Sequence, residues 1–202
     1  KAEPTMKVAR DKAVRRRMTV LQHNFGFEKP YKVLCDGTFL QAALEVKMYL
    51  KEELPKVMQA PCNPIVTNCI RDELRRLGDD VSGASLIAKR FTCVRCSCEA
   101  KNARACVAQL IGERNADHYM VATQDIKLRR QLRSVPGVPL LFITHGKVAL
   151  EHLSETTTQE ARDNELRKNR PTEKEVKVIS KRKRAPVAEP DGDASDRGEE
   201  GG

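Results

Sequence analysis

The sequence predicts an α/β protein with a central, mostly parallel sheet flanked by helices. Residues 138–143, VPLLFI, form a continuous apolar run of the kind found in strands that are covered on both faces. Residues 31–37, YKVLCDG, and residues 119–123, YMVAT, are short strands with a similar apolar character. Segments with helical periodicity separate these strands, and such alternation implies right-handed crossovers between parallel strands.

Each further element rests on its own local pattern. The first strand ends at the turn residues Asp36 and Gly37, and Thr38 is placed to cap the helix that follows. That helix carries an apolar stripe and ends near Pro55. The other predicted elements are a basic helix or arm from Lys7 to about Leu21, a strand at Ile65 and Val66, helices at 69–77, 83–90 and 102–112, and a basic helix around 127–133.

Three regions are expected along the chain. Residues 1–24 are a basic N-terminal arm or helix, and residues 25–150 are one folded domain with an insertion at about 93–106. Residues 151–202 lose apolar periodicity and are rich in charged residues and proline, which predicts an extended or disordered tail. The tail contains the run KRKR at 181–184, which is either a nuclear or nucleolar address, a phosphate-binding arm or an inert solvated run.

Positive charge is concentrated in the predicted domain. The chain has 37 Lys and Arg against 28 Asp and Glu, and residues 151–202 hold 11 of the former and 13 of the latter. The basic excess therefore lies in residues 1–150, which favours a polyanionic partner, nucleic acid first, over an ordinary solvated face. The candidate RNA-binding residues are Lys7, Arg10, Lys12, Arg15, Arg16, Arg17, Arg129 and Arg130.

Composition also suggests a compartment. The sequence has no run of about 18 apolar residues, so no membrane span is expected, and its basic start lacks the apolar stretch of a secretory signal. We expect an intracellular protein. Disulfides seldom persist in a reducing compartment, and seven cysteines cannot all pair with one another.

Four of the seven cysteines crowd into residues 91–106, FTCVRCSCEAKNARAC. Thiolates spaced by one or two residues can chelate Zn²⁺ tetrahedrally, which makes Cys93, Cys96, Cys98 and Cys106 a candidate zinc site. The alternative is a buried Cys106 on a helix and three incidental loop thiols. Cys35, Cys62 and Cys69 are interpreted as ordinary core or loop thiols, and His118 as a reserve metal ligand.

Carboxylates follow two of the predicted strands. Asp36 ends the first strand, Asp125 follows YMVAT, and Glu73 lies in a helix that can reach the same edge of the sheet. Three converging carboxylates suit divalent-metal phosphodiester chemistry. From spacing alone, turn or cap roles for both aspartates and a surface ion pair for Glu73 stay open.

Three long motifs add a resemblance to a known family. They are FGFEKPYKVLCDGTFLQAAL, CIRDELRRLG and DHYMVATQDIKLRRQLRSVPGVPLLFI. Together they resemble the PIN-domain rRNA-processing proteins of the small-subunit processome, over about residues 6–150, and the zinc-finger-bearing members most. The resemblance implies a PIN fold in which Asp36, Glu73 and Asp125 match three of the four metal-binding acids.

The fourth acid of the PIN pattern is missing. In nuclease-like relatives the matching segment reads Ala-Asp-Asp-Cys, whereas here it reads ARAC, with Arg104 and Ala105 in place of the acids. A lost carboxylate and a gained guanidinium both oppose cation binding. We therefore expect a non-catalytic RNA-binding protein with three vestigial acids; the alternative is a divalent-metal-dependent endoribonuclease.

The resemblance also implies cofactor, partners and location. Related proteins carry a structural zinc site at this place, so an all-cysteine Zn²⁺ site is implied for the four clustered cysteines, with Cys98 where a histidine is expected. The implied partners are precursor rRNA, an H/ACA snoRNA and other proteins of the small-subunit processome. The implied location is the nucleolus.

Overall fold

The fold is a six-stranded sheet with helices on its faces. The computed structural model describes residues 3–96 and 102–170, with the backbone alone for residues 3–10. The strands are β1 Tyr31–Cys35, β2 Cys62–Thr67, β3 Thr92–Val94, β4 Tyr119–Ala122, β5 Leu140–Thr144 and β6 Lys147–Leu150. The helices are α1 Glu3–Phe25, α2 Gly37–Glu45, α3 Leu50–Met58, α4 Asn68–Arg76, α5 Ser82–Lys89, α6 Ala103–Ile111, α7 Ile126–Leu132 and α8 Glu155–Lys168, with a 3₁₀ turn at Gly78–Val81.

The strand order is β3-β2-β1-β4-β5-β6, and every neighbouring pair is parallel except β5 and β6. The order reverses at β1, which pairs with β2 on one side and with β4 on the other. Cys35 of β1 lies opposite Ala122 of β4, so the residues after both strands emerge side by side. In open α/β sheets such a switch point at the carboxyl ends of the strands is the usual ligand-binding crevice.

The apolar segments of the sequence form the buried core. The central strands are covered on both faces, as the apolar runs of the sequence predict. Helix α1 packs one stripe, Val14, Met18 and Leu21, into the core and leaves its basic residues on other faces. The largest buried side chains include Tyr31, Leu34, Phe39, Leu40, Leu54, Ile70, Met120, Leu128, Leu132 and Leu141.

The structure confirms the α/β class and corrects several boundaries. The predicted helix up to Pro55 is two helices, α2 and α3, because the chain turns between them with Lys47 in the left-handed region at φ 51°. Asp36 occupies the N-cap position of α2, although Thr38 was the predicted cap. Strands β3 and β6 were not predicted, since both are short and lie at the two edges of the sheet.

The prediction of an extended tail from residue 151 is wrong for residues 155–168, which form α8. Its buried residues are Thr157 and Ala161, and the Thr157 hydroxyl accepts a hydrogen bond of 3.0 Å from the Gly137 amide. So few apolar contacts leave almost no periodic signal in the sequence. Residues 171–202, with the KRKR run, lie outside the described residues. The chain divides into units 1–165 and 166–202.

None of the described helices has a stretch that is both long and apolar enough to cross a membrane.

Hydrogen bonds from the Arg17 side chain connect α1 to the end of β6. One guanidinium nitrogen donates to the Leu150 carbonyl at 2.6 Å, and another lies 3.1 Å from Nδ1 of His152. Burial lowers the pKa of Arg17. We expect Arg17→Ala to cost about 1 kcal/mol of folding free energy, a fall in Tm of about 2–4 °C, while Arg16→Ala on the exposed face leaves Tm unchanged. Equal Tm values for the two variants in thermal unfolding would contradict this structural role.

Candidate functional site

Asp36 lies at the switch point, directly after β1. Its side chain is buried, and its Oδ2 accepts hydrogen bonds from the hydroxyls of Thr38 at 2.7 Å and Thr123 at 2.9 Å. The Asp36 amide donates to the Ala122 carbonyl of β4 at 2.9 Å, which fixes the residue between the two strands. This carboxylate is therefore held by the protein rather than open to solvent.

Burial is also the main influence on the charge of Asp36. Burial raises the pKa of its carboxyl, the hydrogen bonds from Thr38, Thr123 and the Gly37 amide oppose that rise, and the negative charge of Glu73 adds to it. The net direction is upward. Asp36 follows β1, Glu73 lies in the helix after β2 and Asp125 follows β4, and these three residues make up the acidic rim.

Glu73 projects from α4 to the beginning of α6. Its Oε2 accepts a hydrogen bond of 2.7 Å from the backbone amide of Ala103, the first residue of α6. Asn102 caps the same helix, since its Oδ1 accepts from the Ala105 amide at 2.8 Å. A carboxylate at a helix N-terminus is stabilised by the orphan amides and by the helix dipole. One oxygen of Glu73 thus has a backbone amide of the protein as its partner.

Asp125 completes the rim and is engaged on both oxygens. Its Oδ1 caps α7 by accepting from the amides of Lys127 and Leu128, and its Oδ2 accepts from Nε of Arg104 at 2.5 Å. Burial alone pushes the pKa of Asp125 up, but the hydrogen bonds from Leu128, Arg104 and Lys127 and the positive charge of Arg104 lower it on balance.

Arg104, which the sequence comparison predicted in place of an acid, forms an ion pair with Asp125. The Arg104 side chain is 48% exposed and that of Asp125 is 14% exposed, so a polyanion can still approach the guanidinium. Ala105 is exposed and brings no charge to the rim. Asp117 cannot supply a further acid to this rim, because it precedes β4 and so lies at the opposite end of that strand from Asp125. Glu99 lies outside the described residues.

A second cluster, of cysteines, lies at the carboxyl end of β2. The Sγ atoms of Cys69, Cys96 and Cys106 are all within 4.8 Å of one another, and those of Cys69 and Cys96 are 3.5 Å apart. In the part of the chain whose side chains are described, this is the one such group of three or more His, Cys, Asp or Glu residues. A tetrahedral Zn²⁺ with bonds of about 2.3 Å separates its sulfur ligands by about 3.8 Å, so the three thiols are compatible with a metal ion.

The structure brings together two of the four predicted zinc ligands. Cys96 and Cys106 belong to the cluster, whereas the Cys93 thiol donates to Oδ1 of Asn68 at 2.9 Å and is not part of it. Cys98 lies outside the described residues. Cys69, interpreted from the sequence as an ordinary thiol, is the third member, because α4 begins directly after β2 and projects its first turn towards α6.

The remaining cysteines and His118 lie elsewhere. Burial raises the pKa of the Cys35 thiol strongly and that of Cys62 to about 12, as expected for core thiols. The His118 ring lies against Phe27, with ring centroids 5.6 Å apart, at the amino end of β4. His118 is therefore at the opposite end of the parallel strands from the cysteine cluster, which removes it as a reserve ligand.

The predicted RNA-binding residues fall into three groups. Lys12, Arg16 and Arg130 are exposed. Arg15, Arg17 and Arg129 contact the protein: Arg15 donates to Gln59, Arg17 holds β6, and Arg129 lies 3.6 Å from Glu151 and over the ring of Phe142. The side chains of Lys7 and Arg10 are among those that the structure does not describe. Sequence alone cannot separate the first two groups, because a guanidinium serves equally in packing and in phosphate binding.

Comparison with known proteins agrees with this architecture. A family model of Fcf1 matches residues 56–152. The rRNA-processing protein utp23 of Schizosaccharomyces pombe is 35% identical over 184 residues, which cover 89% of this chain and 71% of that protein. The human rRNA-processing protein FCF1 homolog is 31% identical over 134 residues, covering 65% of this chain and 67% of that protein.

A solved structure shares the fold as well. The structure of the PIN domain endonuclease Utp24 matches with a TM-score of 0.59 and 32% identity, covering 63% of this chain and 96% of that chain. The parallel sheet with acids at its switch point is thus that of a PIN-domain protein. Within that class, the chain belongs to the Utp23-type family of PIN-domain rRNA-processing proteins.

Proposed function

We propose that this protein is a non-catalytic RNA-binding factor of small-subunit rRNA maturation. It holds precursor rRNA and an H/ACA snoRNA within the small-subunit processome, in the nucleolus. The observation that carries the proposal is the ion pair between Arg104 and Asp125 at the switch point. The pathway is supported by the family, whose members are named as rRNA-processing proteins.

The rim binds phosphate without a metal ion in this proposal. Asp36 is held by two threonines, Glu73 by the start of α6, and Asp125 by α7 and Arg104. A divalent ion at the rim would have to approach the Arg104 guanidinium, which costs Coulomb energy. A phosphate is attracted to the same guanidinium, because the exposed part of Arg104 can donate charge-assisted hydrogen bonds to it.

A structural zinc ion is the second part of the proposal. Cys69, Cys96 and Cys106 would hold it together with Cys98, the predicted ligand outside the described residues. Zinc chemistry here is structural, since four thiolates leave no open position for substrate. The ion would connect the segment after β3 to α4 and α6. Arg104 is the second residue of α6, so the ion would also help to position its guanidinium.

The alternative function, a divalent-metal-dependent endoribonuclease, keeps one observation in its favour. Asp36, Glu73 and Asp125 occupy the rim of a fold that is similar to the PIN domain endonuclease Utp24. Under that hypothesis, the Arg104 side chain would move away from Asp125 when a cation binds.

RNA binding without cleavage is the direct test. With a structured rRNA fragment and Mn²⁺, the RNA should stay intact, and its affinity should fall as salt rises. Lys12→Gln with Arg16→Gln should lower the slope of log affinity against log salt by about 1.5, because each lost phosphate contact contributes about 0.7–0.9. Lys51→Gln with Lys147→Gln removes the same charge from other exposed positions and serves as the control.

Two results would overturn the proposal. One is Mn²⁺-dependent cutting that Asp36→Asn and Asp125→Asn both abolish. The other is an RNA affinity that does not depend on salt. A slope that falls equally in the control variant would instead remove the exposed face of α1 from the RNA-binding surface.

A further inference from the structure

A cavity lies at the end of the sheet opposite to the acidic rim. Its volume is about 360 Å³, and it is bounded by the end of α1, the segment before β4, the turn before β5 and one face of α8. Its lining combines a phenyl ring, an imidazole, two amides and one charge of each sign: Asn24, Phe25, Arg114, His118, Glu160 and Asn164. Neither the rim nor the cysteine cluster uses any of these residues.

The walls of the cavity are fixed by buried contacts. Asn115 is buried with φ 47°, and its amide nitrogen donates to the carbonyls of Tyr119 at 2.8 Å and Gly137 at 2.7 Å. The Tyr119 amide donates back to Oδ1 of Asn115 at 2.9 Å. Thr157 accepts from the Gly137 amide, which ties α8 to the same turn. The hydrogen bonds of Asn115 and Thr157 thus fix the backbone around the cavity, as in pre-formed ligand sites.

Two glycines allow aromatic rings to line the cavity. Gly137 has φ 70°, and a Cβ there would lie 2.5 Å from Cδ1 of Phe25, so the ring rests directly on the backbone. Gly26 has φ 69° and faces the His118 ring, which Phe27 supports from another side. Flat rings backed in this way are surfaces on which an unpaired nucleobase stacks.

Glu160 offers the cavity a pair of hydrogen-bond acceptors. It projects from α8 into the lining, is partly exposed, and has no ion pair or hydrogen bond with any residue that the structure describes. Its two carboxylate oxygens accept a pair of neighbouring N–H donors. Guanine presents such a pair, N1–H and the N2 amino group, whereas adenine and uracil each present one donor position on that edge. Arg114 is exposed at the mouth of the cavity, where its guanidinium can bind the phosphate of a nucleotide.

We propose that this cavity binds an unpaired guanosine of RNA, with Glu160 on its Watson–Crick edge and Phe25 and His118 against its face. The volume fits one base with its sugar, at the small end of the range for ligand pockets. The inference rests on the proposed RNA binding and adds a sequence-reading position to it. The acidic rim and this cavity, at opposite ends of the strands, would then contact one RNA at two separate points.

The test measures base preference in the full chain. Short labelled uridine oligoribonucleotides carry one central guanosine, inosine or adenosine, and their affinities are compared by fluorescence anisotropy. The guanosine oligomer should bind about tenfold tighter than the adenosine oligomer. Inosine, which keeps N1–H but lacks the amino group, should fall between them.

Two variants locate the preference. Glu160→Gln keeps the side-chain shape but offers one acceptor and one donor, so the preference for guanosine should nearly vanish. Arg114→Gln should weaken all three oligomers about equally, because it removes only a phosphate contact. Glu155→Gln, an exposed change on the same helix outside the cavity, is the matched control and should leave the preference intact.

Each failure has its own meaning. Equal affinities for guanosine and adenosine oligomers in the unaltered chain, or a preference that survives Glu160→Gln, would overturn the cavity proposal and leave RNA binding standing. Absence of binding to every oligomer and to structured RNA would overturn the proposed function itself. A cavity that accepts a basic side chain of a protein partner would show no guanosine preference, and so counts against the proposal.

Discussion

Replacing Arg104 with aspartate is expected to give the rim an affinity for Mn²⁺ at least about tenfold higher than that of the unaltered chain. The change removes a cation whose Nε lies 2.5 Å from Oδ2 of Asp125, and it adds a carboxylate beside that residue. The substitution changes the local charge by two units, from positive to negative. Beside a divalent ion this stabilises the bound state by more than the roughly 1.4 kcal/mol that a tenfold rise in affinity requires. Isothermal titration with Mn²⁺ measures it directly.

Arg130→Asp is the matched control for this prediction. Arg130 is exposed on α7, the helix that Asp125 caps, so the variant has the same change in net charge without touching the ion pair. Its Mn²⁺ affinity should stay near that of the unaltered chain. The same Arg104→Asp protein should also lose RNA affinity in the absence of metal, because the rim has lost its phosphate donor.

Two outcomes would contradict the electrostatic account of the rim. One is equal Mn²⁺ affinity in both aspartate variants, which would show that overall charge matters and position does not. The other is strong Mn²⁺ binding by the unaltered chain, which would mean that the Arg104–Asp125 ion pair opens readily. The second outcome would favour the endoribonuclease.

Changing Cys69 to serine should weaken the proposed zinc binding. The unaltered chain is expected to contain about one zinc ion by elemental analysis, and the loss of one of four thiolates should weaken binding on the order of 100-fold or more. Bound metal stabilises the folded state, so the same variant should unfold at a lower temperature and lose its response to a chelator.

Cys93→Ser and Cys62→Ser are the informative partners of this variant. The Cys93 thiol donates to Asn68 and is not part of the cluster, and Cys62 is a partly buried thiol of β2. Both variants should therefore keep the metal. Loss of zinc in Cys93→Ser with retention in Cys69→Ser would restore the ligand set predicted from the sequence. Absence of zinc from the unaltered chain would show that the three clustered thiols are packing residues.

The difference between Cys69 and Cys93 shows where sequence reasoning stops. Ligand spacing along the chain favours Cys93, because it is near Cys96 in sequence, and gives no reason to include a cysteine 27 residues before Cys96. Parallel pairing of β2 with β3 brings the start of α4 beside the segment after β3. Proximity across a sheet is a property of topology, and topology is only partly visible in local patterns.

The basic residues show a similar limit. The charge excess of the domain is plain in the sequence, but Arg17 and Arg129 have structural partners, Leu150 and Glu151, that follow or belong to an edge strand too short to predict. A guanidinium stabilises a fold by the same donors that bind phosphate. Which of the two it does depends on whether an acceptor of the protein lies within reach.

The sequence by itself determined the α/β class and the order of the central strands and helices along the chain, and it predicted carboxylates near one edge of the sheet. These follow from alternating apolar patterns and from the rule that parallel strands end at one edge, which are local or nearly local properties. Only the tertiary structure decided that Arg104 neutralises Asp125, that Glu73 caps α6 and that Cys69 joins the cysteine cluster. Each of these contacts joins residues from different elements over a few ångströms, and electrostatic and hydrogen-bond energies depend on those distances, not on separation along the chain.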